Sequence, residues 1–105
     1  MTKFEKSSGN VFRDLGFANA DEMLAKADLA RQAGKLIKQR GLTQAQVAAL
    51  LKVDQPKVSA LLNGRLTAFS TERLMQFLKA LDQDVKIVVK PRPRSRAAQI
   101  RVAAE

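Results

Sequence analysis

Between Lys35 and Arg65 the chain sets six cations, Lys35, Lys38, Arg40, Lys52, Lys57 and Arg65, against the single carboxylate of Asp54. Among them stand the hydroxyls and amides of Thr43, Gln44, Gln55, Ser59 and Asn63. Groups of these types attract anions and exchange hydrogen bonds with them, so the chemistry they offer is recognition. The 105 residues include no cysteine and no histidine. That inventory excludes a disulfide framework, a thiolate or histidine metal site and a histidine general base. No nucleophile and base can be paired from what is left, and the sequence predicts neither an enzyme nor a cofactor nor a metal.

A net charge of +9, from 19 basic and 10 acidic residues, points to a polyanionic partner such as nucleic acid or an anionic membrane surface. The excess is local. Residues 1–34 balance five basic against five acidic side chains, whereas a second basic cluster, Lys90, Arg92, Arg94, Arg96 and Arg101, meets only Glu105. A solvated, solubilising surface is the alternative reading of either cluster. No apolar run approaches the roughly 20 residues that span a bilayer, and the opening residues lack a signal-peptide layout, so no membrane partner and a cytoplasmic location are expected.

The elements that must position these groups are read from period and punctuation. Residues 1–18 have no sustained period but hold Phe4, Val11, Phe12, Leu15 and Phe17, a set suited to folding back on the core. Asn19 and Glu22 have capping-box spacing, and Met23, Leu24, Ala27, Ala30, Ala33 and Ile37 then recur in helical steps until Gly41, with Gly34 the weak point. Thr43 is expected to cap a short helix from Gln44 to about Leu51, and Asp54 another that ends near Asn63 with Gly64 as its stop. Ser70 caps a fourth helix, with Phe69 and Leu74 spaced as a hydrophobic staple and Phe77, Leu78 and Leu81 extending the stripe. From Val85 to Lys90 the period changes to that of a β-strand, with Val85, Ile87 and Val89 on one side, and Pro91 and Pro93 end it. A lone strand after four helices suggests pairing with a second copy, so these three residues are assigned to dimerisation, with the N-terminal segment or a different protein as alternative partners. Residues 91–105 read as a basic flexible tail, disordered or conditionally folded.

The two short helices joined by about three residues have apolar contacts at fixed offsets, Val47, Leu51, Val53, Val58 and Leu61, with Ala48 as the small residue between them. Leu42-Thr43-Gln44, Ala48, Val53, Asp54, Val58-Ser59 and Asn63-Gly64 together resemble the Xre/Cro family of phage-repressor-type DNA-binding domains, over roughly residues 35–82. The resemblance implies an all-α, lambda-repressor-like bundle of four to five helices with the helix-turn-helix inside residues 19–84, followed by the strand at 85–90. It also implies that the third helix enters the major groove of duplex DNA. On that geometry Gln55, Pro56, Lys57 and Ser59 read bases, the glutamine amide by pairing with adenine and the proline by apolar contact with a thymine methyl. Thr43 and Gln44, with Asn63 and Arg65 on the other side, would then contact phosphates. The family usually carries glycine in the turn where this chain has Lys52. A left-handed backbone there costs about 1 kcal/mol without glycine, so the turn is either strained or reshaped.

A narrower likeness, to HigA-like antitoxins, rests on Ser8-Gly9-Asn10-Val11-Phe12, Asp14-Leu15-Gly16-Phe17, Gln55-Pro56-Lys57-Val58-Ser59, Phe69-Ser70, Glu72-Arg73-Leu74 and Asp84-Val85. It implies a repressor of its own operon, a homodimer on a palindromic operator, that also neutralises a RelE/HigB-like ribonuclease toxin. A stand-alone Xre-type regulator is the alternative. An RNA-binding protein is a further one, although the basic region has no tyrosine or tryptophan on which bases could stack.

Overall fold

The structure, a computed structural model, describes residues 19–104, in which four helices form an all-α bundle. They are α1 (Ala20–Gln39), α2 (Gln44–Leu51), α3 (Gln55–Leu62) and α4 (Thr71–Ala80). Residues 1–18, with the aromatic opening stretch expected to cover the core, lie outside the described residues.

Helix α1 is the spine against which α3 and α4 pack, while α2 packs on α3 and α4. Its burial is broader than the expected stripe: Ala20, Leu24, Ala25, Asp28, Leu29, Ala30, Ala33 and Ile37 are all buried. From the other elements Val47, Leu51, Val58, Leu61, Phe69, Leu74, Phe77, Leu78 and Leu81 complete one core. Phe69 and Phe77 meet edge to face at 5.6 Å, an arrangement that aligns ring edge with ring face electrostatically.

Four left-handed residues set the directions of the chain. Gly41, Lys52, Gly64 and Asp82 have φ of 63°, 60°, 74° and 66°, each just past a helix. Behind Gly41 the Leu42 N–H reaches the Ile37 carbonyl at 3.2 Å, and behind Gly64 the Arg65 N–H reaches Ala60 at 2.9 Å. These bonds satisfy carbonyls that a helix end otherwise leaves bare.

Three expectations are corrected. Residues 85–90 form no strand, and none is found among the described residues; period-2 patterning favours extended backbone, but a ladder needs a second strand, which the described residues do not include. Asn19 stands before α1 without a side-chain cap: its backbone, at φ −111° and ψ 43°, lies outside the extended region that the capping residues Thr43, Asp54 and Ser70 adopt, and the Glu22 side chain pairs with Lys26 at 3.6 Å. The basic tail is exposed through Ser95 but returns to the body, where Val102 packs against the core and Arg101 reaches Asp28.

Candidate nucleic-acid interface

Thr43 opens α2 with a reciprocal capping box: its hydroxyl accepts from the Gln46 N–H at 3.1 Å, and Gln46 Oε1 accepts from the Thr43 N–H at 2.8 Å. The Thr-x-x-Gln spacing signals this pair, and Gln46 is the residue that the cap reading passed over. Asp54 opens α3 by accepting from the Lys57 N–H at 3.0 Å. Pro56 lies in that first turn, where a missing N–H removes no intrahelical bond.

The turn between them keeps the left-handed geometry: Lys52 has φ 60° and ψ 46°, its N–H bonds Ala48, and the Val53 N–H reaches the same carbonyl at 3.0 Å. Val47 and Val58 are completely buried and, with Leu51 and Leu61, hold the two helices in one core. The turn is therefore strained rather than reshaped, and packing supplies the restoring force.

Two helix starts are presented to solvent. Thr43 and Gln44 are exposed at the first turn of α2, Gln55 and Pro56 at that of α3, and Lys57 is half-buried beside them. Neither first turn carries an acidic residue, in contrast to α1 with Asp21 and Glu22 and to α4 with Glu72. At α3 the carboxylate beside the positive end is the cap itself, Asp54, and at α2 the cap is the neutral Thr43. At the far end of α3, Asn63 donates from Nδ2 to the Ser59 carbonyl at 2.8 Å and to its hydroxyl at 3.3 Å, and Arg65 is exposed just beyond Gly64. The expected base-reading and phosphate-contacting residues all lie on α2, α3 and their flanks. Val85, Ile87 and Val89 lie on the exposed segment after α4.

Asp28 was not marked by sequence. It is completely buried, and its carboxylate accepts from Arg31, from Arg101 Nε at 3.2 Å and from the Val102 N–H at 3.1 Å. Its signal was a carboxylate placed four residues after Leu24 within the buried side of α1. No cluster of three or more metal-capable side chains occurs among the described residues, and no helix there is long and apolar enough to cross a membrane.

A family described as a helix-turn-helix domain matches residues 11–90. No curated protein shows significant similarity to the chain. A solved structure described as an XRE family transcriptional regulator is 51% identical, covers 83% of this chain and 99% of its own, and superposes with a TM-score of 0.77. The two capped helices, the left-handed turn between them and this likeness along most of the chain lead to one conclusion: the chain belongs to the XRE-type helix-turn-helix family.

Proposed function

We propose that this XRE-family protein is a sequence-specific repressor that binds a palindromic operator as a homodimer, reading bases with Gln55, Pro56, Lys57 and Ser59. The observation that carries this reading is the pair of exposed helix starts at Gln44 and Gln55 within a basic segment, with Asp54 at the cap of the second and no acidic residue in either first turn. Thr43, Gln44, Asn63 and Arg65 hold phosphates on either side. Gln55→Ala is expected to weaken operator binding by about 1 to 3 kcal/mol and to relax preference at its own base pair. Arg65→Ala is expected to weaken binding to all duplexes alike. Equal losses for both variants on operator and on scrambled duplex, measured by titration, would sink the division of roles.

The likeness of the chain to HigA-like antitoxins supports a finer reading, in which the protein also sequesters a small ribonuclease toxin in the cytoplasm and represses its own operon. Such sequestration uses surfaces away from α3. Co-expression with the product of the neighbouring gene tests it: rescue of growth is expected to survive Gln55→Ala and to weaken when residues 1–17 are removed from a chain that still folds. A neighbouring gene product without toxicity leaves a stand-alone transcriptional regulator.

A further inference from the structure

Where the end of α2 meets α4, three cations border one shallow hollow that has no carboxylate in its wall. Lys52, Arg73 and Lys79 stand around a space of about 580 Å³ whose other walls include Leu50, Gln76 and Phe77. All three cations are exposed, and none forms an ion pair with a described residue. The acidic residues near them in sequence are engaged elsewhere. Asp54 caps α3, and Asp82 pairs with Arg40 at 3.9 Å. Glu72 belongs to the first turn of α4, and helix residues one apart do not face each other. The basic arm after α4, which Asp28 clamps through Arg101 and Val102, contributes no wall to the hollow.

The floor between these cations is apolar. Leu50 is 41% exposed there, and the Arg73 guanidinium lies 5.7 Å from the centre of the Phe77 ring. The contact of α2 with α4 is slighter than its contact with α3, which leaves the hollow open between the two helices. Lys52 adds an independent observation. It keeps a left-handed backbone at φ 60°, and its exposed side chain makes no hydrogen bond or ion pair with a described residue. Glycine adopts that conformation without the steric cost that a Cβ brings. Strain held at a residue whose side chain does nothing for the fold points to a task for that side chain outside it.

We propose that this hollow docks an acidic, amphipathic segment of another protein, which sets an apolar side chain on Leu50 and Phe77 and flanking carboxylates on Lys52 and Arg73. Charge complementarity selects the occupant. The apolar floor separates it from nucleic acid, because a phosphate backbone would bring charge and no side chain to cover Leu50. Position agrees, since Leu50 lies toward the opposite end of α2 from Gln44, roughly 9 Å along the helix. Lys79 contributes least: it stands in the last turn of α4, where a cation already meets the negative helix end, and it also borders a neighbouring hollow with Asp82 and Asp84. This docking surface goes beyond the DNA reading and does not depend on it.

The probe is a labelled synthetic helical peptide of glutamate, alanine and leucine, with its leucines on one face, titrated into the full chain. Amide NMR shifts are expected at residues 50–52 and 73–80. Versions of the peptide with serine for leucine, or lysine for glutamate, are expected to bind several-fold more weakly. Lys52→Gly separates docking from folding, because the same change relieves the strained turn. It is expected to raise the midpoint of thermal unfolding and to lower peptide affinity several-fold, whereas Lys52→Arg keeps that affinity. Arg73→Ser and Leu50→Ser are expected to weaken peptide binding, and to leave duplex binding and the helical circular dichroism as they were.

Equal binding of the serine version means that charge alone attracts the peptide, and shifts confined to the starts of α2 and α3 place it on the other face; either result overturns the docking site. So does a peptide affinity that Lys52→Gly leaves unchanged, or the absence of binding at millimolar peptide. Displacement of the peptide by a duplex of mixed sequence assigns the three cations to phosphates and overturns the proposal while leaving the DNA reading in place.

Discussion

Lys52 holds a backbone conformation that its side chain makes costly, at φ 60° and ψ 46°, because the geometry of the turn is fixed by Val47 and Val58 on either side. Lys52→Gly is expected to raise stability by about 1 kcal/mol, seen as a higher midpoint in thermal unfolding, with the helix crossing unchanged. No gain would mean that the lysine side chain offsets its own backbone strain. Single residues were legible in the sequence where their partners are local. Thr43, Asp54 and Ser70 each bond a backbone N–H three residues on, so spacing alone identifies them as caps. Asn19 had the same spacing but not the extended backbone of the other three, so its side chain makes no cap. Asp28 was illegible for the opposite reason: two of its donors, at Arg101 and Val102, are 73 and 74 residues away.

Helix α1 carries Gly34 within a long run that must pass closely over α3. A methyl group placed there would meet only Leu62 Cδ2, at 4.0 Å, an ordinary contact. Gly34→Ala is therefore expected to stabilise the fold by about 0.5 to 1 kcal/mol, measured by chemical unfolding, and to leave DNA binding as it was. A loss of stability would show that α1 and α3 approach more tightly than this distance allows. The helices were readable because apolar period, cap and stop agree at each of them, notably at Gly41 and Gly64, whose positive φ is what a terminating glycine supplies. The segment after α4 was readable only halfway. Alternation at Val85, Ile87 and Val89 reports a backbone that wants to extend, but the pairing partner of an extended segment is not encoded in its period.

At the scale of the molecule, the charge of +9 is spread over the motif region and the arm rather than over the whole chain. Duplex binding is expected to fall steeply as salt rises, and Arg65→Ala to reduce the slope of the logarithmic plot by about one. A response independent of salt would argue against phosphate contacts. The helix-turn-helix face could be read from one continuous stretch of sequence, and the arm's return could not, because it joins the two ends of the described chain. That junction also has a bearing on how the molecule is made. Asp28 leaves the ribosome with α1, yet two of the hydrogen-bond donors to it arrive only with residues 101 and 102. Until those residues emerge the nascent chain lacks both donors, so the final setting of this carboxylate is expected to follow the packing of the helices. The four helices can assemble early from neighbouring contacts, whereas the arm's return must close the 73 residues between Asp28 and Arg101, and a chain halted before residue 101 is expected to lack that clamp.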